Sequence, residues 1–278
     1  MKRIASIQDI SCLGRCSLTV ALPVISAMGV ECAIVPTAVL STHTAFEGFT
    51  VCDLTDQILP IARHWQSQQL HLDAIYTGYL ASAEQIGDVC AFFNMMKGED
   101  TLLFVDPAMA DHGALYPGFG PEFPGEMAKV VARADVVIPN ITEACLLTGT
   151  EYRESYDEAY IKDLLHRLVA LGAKMAILTG VSLEAGKVGV MSYDAVTGEY
   201  FSYYNEKVSA PSCGTGDVFA ATVVGGLMRG LGMQEALRLA ADYTLECIRV
   251  TDREKTWYGV EFERMLPMLC ERLKEEKS

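Results

Sequence analysis

Thr101-Leu102-Leu103-Phe104-Val105-Asp106-Pro107 is the stretch from which the fold of this 278-residue chain is read. The run before Asp106 is nearly all apolar, with no alternation of polar and apolar residues. That pattern describes a strand covered on both faces, the usual condition inside a parallel sheet. Pro107 ends the run, which leaves Asp106 at the carboxyl end of the strand.

Working outward, the same alternation of short strands and longer helices recurs on both sides. Upstream, residues 73–77 read as a strand and 82–96 as a helix. Residues 53–66 carry Leu54, Ile58, Ile61 and Trp65 at helical spacing. Residues 31–36 are a strand, 17–28 a helix containing Pro23, and 3–7 the first strand. Downstream, a stretch rich in Gly and Pro at 107–124 is long for a strand-to-helix connection, and long loops often serve as lids. Strand 135–138, short helix 141–147, helix 157–171 and strand 174–178 follow. Runs 189–193 and 199–204 flank Asp194-Ala195-Val196-Thr197-Gly198 and predict an antiparallel hairpin at one sheet edge. Residues 217–228, 233–251 and 260–276 are helical. The expectation is an α/β protein: a three-layer αβα sandwich, mostly parallel, forming one domain over 1–278 with no linker or repeat.

Composition narrows the function classes. The net charge of −14 repels phosphate backbones and argues against nucleic-acid partners. Nine scattered cysteines include no CxxC pair, so reduced thiols in a cytoplasmic protein are expected. Gln8, Asp9 and Arg15 interrupt any apolar signal core, and the longest apolar run, 20–30, is too short to span a bilayer.

Ligands of such sheets bind beyond the carboxyl ends of the strands, so those segments carry the chemistry. Cys213-Gly214-Thr215-Gly216-Asp217 opens a strongly apolar helix. Glycines let backbone N–H groups approach a ligand, and a helix N-terminus favours an anion. Asp217 is then either a helix cap or a base beside that anion. Neither a Walker A loop nor a dinucleotide fingerprint is present. Pro139-Asn140-Ile141-Thr142-Glu143 leaves a strand and enters a helix. Asn140 and Glu143 can form a capping box, or Glu143 can lie near Mg²⁺ through water. Asp106, with Asp111 five residues on, either caps the next turn or helps to hold a metal or nucleotide. Ser41-Thr42-His43-Thr44 and Tyr76-Thr77-Gly78-Tyr79 follow other strands. Their hydroxyls and imidazole either satisfy nearby backbone groups or line a pocket.

These segments, taken in order with Ile7-Gln8 and Asp106-Pro107-Ala108-Met109, resemble the ribokinase-like superfamily and, within it, the pyridoxal kinases. Gly-Thr-Gly-Asp is the superfamily's most specific motif. The N-terminal Gly-Gly segment and β-strand lid of the sugar kinases are not read here. The resemblance implies ATP-dependent phosphorylation of the 5′-hydroxymethyl group of a vitamin B6 vitamer, with ATP and Mg²⁺ and with a monovalent cation left open. Asp217 would take the hydroxyl proton, and Gly214, Thr215 and Gly216 would form the anion hole. Asn140 and Glu143 would lie by the Mg²⁺–phosphate cluster, and Asp106 and Asp111 on the nucleotide and metal side. Thr179, ending a strand, would touch the nucleotide, while Thr44 and Tyr79 would touch the pyridine. A homodimer is implied as well.

The chain departs from the family pattern at Asp9, where better-known pyridoxal kinases carry Ser. Ser11 is a candidate for the missing hydroxyl. Asp9 itself is expected to meet a ring nitrogen or an amine of the substrate. Cys213 reads as a buried thiol, with addition to an aldehyde as the alternative. The rival functions are a hydroxymethylpyrimidine kinase, whose members often place Cys at the position of Asp217, and a non-catalytic B6-binding protein.

Overall fold

The computed structural model describes residues 1–208, 213–252 and 254–275. The chain forms two compact units, one of 1–54 with 207–278, the other of 55–206.

The first unit opens with β1 (Arg3–Ser11), α1 (Leu18–Ala27), β2 (Glu31–Leu40) and β3 (Val51–Asp53). β1 and β2 run parallel, and β3 adds antiparallel to β2. The β1–β2 register slips between Gln8 and Ile10: Gln8 faces Pro36, whereas Ile10 faces Val39. Pro36 cannot donate a ladder hydrogen bond, and a bulge re-aims the residue beside it. That residue is Asp9.

The second unit holds α2 (Thr55–Ser67), β4 (Ala74–Thr77), α3 (Ala83–Met96), β5 (Leu102–Val105), β6 (Ala110–Asp111) and β7 (Ala114–Leu115). After these come α4 (Phe123–Val131), β8 (Val136–Val137), α5 (Ile141–Thr148), α6 (Glu158–Ala170), β9 (Met175–Val181), β10 (Lys187–Asp194) and β11 (Tyr200–Glu206). Its strands lie in the order β11–β10–β9–β8–β5–β4. β4, β5, β8 and β9 are parallel neighbours, and β10 and β11 extend the edge antiparallel, as expected. β4 and β8 are wholly buried, and so is β5 beyond Leu102, which requires cover on both faces.

The first unit resumes with α7 (Thr215–Met228), α8 (Met233–Val250), a 3₁₀ turn at Phe262–Met265 and α9 (Leu266–Glu275). From Val218 to Gly226 every residue of α7 is buried, so this helix is apolar all round rather than amphipathic.

Several boundaries differ from expectation. β1 and β2 run well past Ile7 and Pro36, so Asp9 and Ser11 lie within a strand. Thr179 does not end β9, which continues to Val181 through Gly180 at φ 73°. The β9–β10 register shift at Gly189/Val190 accommodates that kink. The 107–124 stretch is not structureless: Ala110–Asp111 pairs with Ala114–Leu115, and α4 begins at Phe123. The last helix is split by the 3₁₀ turn, and Glu276 lies outside the described residues. No described helix is long and apolar enough to cross a membrane.

Candidate active site

In the first unit the chemistry gathers around the start of α7. Gly214 is its N-cap, with φ 78° and ψ −5°, the left-handed region that favours glycine. A Cβ added there would stand 1.9 Å from the Arg15 carbonyl oxygen, so only glycine fits. Gly214 itself brings no side chain to cap this helix. Asp217 sits in that first turn and is partly exposed.

Cys16 feels both Asp217 and Asp9. Burial pushes the Cys16 thiol far above its ordinary range, and the charges of Asp217 and Asp9 push it further, so the thiol is neutral. Asp9 is 4% exposed. Burial raises its carboxyl above the usual range, against hydrogen bonds from the Ser17 and Ser11 hydroxyls, the latter at 3.1 Å.

His43 faces the same corner electrostatically but is committed to the backbone. Its Nδ1 accepts the Ala45 N–H at 3.2 Å, so Nε2 carries the proton and donates to the Tyr258 carbonyl at 2.9 Å. Of the two readings of this loop, His43 follows the structural one. Thr44, next in the chain, is exposed. Phe46 packs on Trp257 at 4.6 Å between ring centres. Arg15 spans from Tyr258, 5.5 Å from its ring centre, to Glu263 at 2.9 Å.

In the second unit the chemistry gathers at the N-terminus of α5. The capping box forms: Asn140 Oδ1 accepts the Glu143 N–H at 2.9 Å, and Glu143 Oε2 accepts the Asn140 N–H at 2.8 Å. Glu143 Oε1 accepts the Met109 N–H at 3.0 Å. Asn140 Nδ2 donates to the Ala110 carbonyl at 2.8 Å, and Thr142 Oγ1 accepts the Gly113 N–H at 3.0 Å. Three side chains of one helix end thus stitch down the β6–β7 hairpin. Thr179 joins them through a bridge to Asn140. The contact between Tyr79 and Phe119 at 5.5 Å brings the far end of the 107–124 stretch over Tyr79.

Asp106 and Glu143 are buried carboxyls that repel each other. Burial raises Asp106 well above its ordinary value, the Glu143 charge adds to this, and the Ala108 N–H opposes it. Burial lifts Glu143 to about 7 against three backbone N–H donors, and the Asp111 charge raises it further. Among the described residues no three His, Cys, Asp or Glu side chains form a metal-holding group. Two hard oxygen donors with an unmet need for positive charge nevertheless suit Mg²⁺, which takes one or two carboxylates and completes its shell with phosphate and water.

The structure therefore collects the expected residues in two groups: Asp9, Ser11 and Gly214 to Asp217 in one unit, and Asp106, Asp111, Asn140, Glu143 and Thr179 in the other. Cys16, the Arg15 carbonyl and Thr142 were not singled out. Their roles come from chain segments distant in sequence, and no local pattern marks them.

Residues 20–260 match the phosphomethylpyrimidine kinase family. The chain belongs to this family. Its kinship with pyridoxal kinases holds as well. The Lactobacillus plantarum pyridoxal kinase is 31% identical, with TM-score 0.86 over 97% of this chain and 96% of that one. A Bacteroides thetaiotaomicron protein classed as a phosphomethylpyrimidine kinase, solved with pyridoxal, is 36% identical, with TM-score 0.91 over 96% of this chain and 95% of that one. The Bordetella avium pyridoxine/pyridoxal/pyridoxamine kinase is 28% identical over 265 residues, covering 90% of this kinase and 86% of the relative. The ribokinase-like αβα architecture expected from the sequence is the fold these proteins share.

Proposed function

We propose that this protein phosphorylates the 5′-hydroxymethyl group of a vitamin B6 vitamer with ATP, using Asp217 as the general base. The observation that carries this reading is the glycine-opened start of α7 with Asp217 in its first turn. Amides at a helix N-terminus stabilise the charge of a transferring phosphoryl group, and a carboxylate beside them accepts a proton. The Bacteroides relative solved with pyridoxal supports the acceptor class.

Phosphoryl transfer asks mainly for positioning and charge stabilisation. In this reading Gly214, Thr215 and Gly216 receive the phosphoryl oxygens. Asp217 holds the acceptor hydroxyl and takes its proton. Thr44, Tyr79, Ser11 and Asp9 hold the ring, while Thr179, Asn140 and Asp111 serve the nucleotide. Asp106 and Glu143 would hold Mg²⁺, directly or through water, and Mg²⁺ when bound neutralises phosphate charge. The 107–124 stretch closes to exclude water, so that ATP is not lost to hydrolysis. One catalytic domain over 1–278, acting as a homodimer, belongs to the same reading; the family match spans both compact units.

The test is a turnover assay with pyridoxal, pyridoxamine, pyridoxine and hydroxymethylpyrimidine, with ATP consumption as the readout. Phosphorylation of a B6 vitamer supports the proposal. Turnover of hydroxymethylpyrimidine alone would replace it with the family's namesake chemistry, and binding without turnover with a non-catalytic role.

A further inference from the structure

Among the described residues Asp9 has no cation paired to it. It lies at the register slip of β1, near that strand's carboxyl end, and is 4% exposed. Its hydrogen-bond partners are neutral: the Ser11 hydroxyl at 3.1 Å and the Ser17 hydroxyl. Of the two arginines nearest in sequence, Arg3 pairs with Glu31 at 2.8 Å, and Arg15 is turned to Glu263 at 2.9 Å and to the Tyr258 ring. Among the described residues Asp9 makes no ion pair with Lys or Arg. His43, whose charge acts on Asp9, has both ring nitrogens bonded to backbone, with Nδ1 accepting the Ala45 N–H. The Cys16 thiol feels the charges of both Asp9 and Asp217, and neither of these supplies a positive partner. A buried carboxylate without a counter-ion is costly unless it takes up a proton, and a cationic group of a ligand relieves that cost while leaving it charged.

We infer that Asp9 is the specificity-determining residue on the acceptor side: its carboxylate pairs with a positively charged nitrogen of the acceptor, so cationic acceptors are preferred over neutral ones. The inference rests on the proposed kinase reading. Two nitrogens of a B6 vitamer carry this chemistry, the protonated ring nitrogen and the aminomethyl ammonium. No group is transferred to Asp9; the pair is a charge-assisted hydrogen bond.

The test is the KM of pyridoxal, pyridoxamine and pyridoxine for wild type, Asp9→Asn and Asp9→Ser, at saturating ATP and Mg²⁺ and neutral pH. Loss of a charge-assisted bond raises KM by about 10- to 150-fold. A rise for all three vitamers assigns the ring nitrogen, and a rise for pyridoxamine alone assigns the ammonium. Both support the inference. KM values within about twofold of wild type overturn it, as does a loss confined to kcat and melting temperature, which would make Asp9 a brace for the 11–17 turn. If neither variant folds, calorimetry on wild type decides. Pyridoxamine, pyridoxine and an analogue with carbon in place of the ring nitrogen are compared, and equal affinities overturn the inference. If wild type phosphorylates no vitamer, the kinase reading itself fails; turnover with unchanged variants removes only the role of Asp9.

Discussion

Glu143 and Met109 are 34 residues apart in sequence and share one hydrogen bond, from the Met109 N–H to Glu143 Oε1 at 3.0 Å. The other carboxylate oxygen closes the capping box with Asn140 at 2.8 Å. One buried side chain therefore fixes both the start of α5 and the root of the β6–β7 hairpin. The two readings of Glu143, cap and metal-side carboxylate, are compatible: each oxygen that accepts an N–H keeps a second lone pair.

Replacing Glu143 with Gln leaves one of those two backbone N–H groups facing an amide NH₂. The variant should lose about 1–3 kcal/mol of stability, the usual cost of an unsatisfied buried donor. Urea denaturation measures this. A midpoint equal to wild type would show that the hairpin root is held by other contacts.

The same residue makes stability depend on pH. Its carboxyl is raised from 4.5 to about 7 in the folded state, so the folded protein binds the proton more tightly than the unfolded chain. That contribution is fully present below the unfolded pKa and disappears as pH rises from about 4.5 through about 7. Asp106, raised for the same reason, acts in the same direction. The metal-free protein should therefore melt at progressively lower temperature across this window, and Glu143→Gln should flatten the decline. Scanning calorimetry in matched buffers tests both, and a wild-type profile already flat would contradict the coupling.

Asp217→Asn removes a base while keeping the size of the side chain. Turnover should fall by about 10²–10⁴ and nucleotide affinity should persist. Single-turnover assays beside nucleotide titration separate the two. Retained turnover would reassign Asp217 as a helix-terminal carboxylate.

Gly214→Ala should be more damaging than most surface substitutions. The left-handed backbone disfavours any side chain, and the new methyl would overlap the Arg15 carbonyl 1.9 Å away. The backbone must move, and both the opening of α7 and the turn at Arg15 move with it. We expect at least about 1–3 kcal/mol of destabilisation, together with loss of turnover that Mg²⁺ does not restore. A variant with wild-type melting and kcat would show that the helix start is less constrained than its geometry indicates.

Much of the fold was legible because its signals are local. Strand 101–105 declared itself by a nearly all-apolar run. The hairpin at 194–198 was marked by turn residues, and the α5 cap by Asn140 and Glu143 three positions apart. α4 was missed because Phe123-Pro124-Gly125 looks like the end of a loop, although proline is well suited to a helix's first turn. β3 and β6–β7 are too short for periodicity to reveal them.

The sequence by itself determined the strand–helix alternation, the hairpin edge and the pairing of an anion-favouring helix start with Asp217. Each of these is written within a few neighbouring residues, where propensity, capping and glycine act directly. Tertiary structure alone decided that Gly214 seats against Arg15, that His43 is spent on the Tyr258 carbonyl, and that the Cys16 thiol feels both Asp9 and Asp217. Those relationships join segments up to about two hundred residues apart. Long-range packing creates them, and with it the burial that shifts the carboxyls, so no local pattern could have announced them.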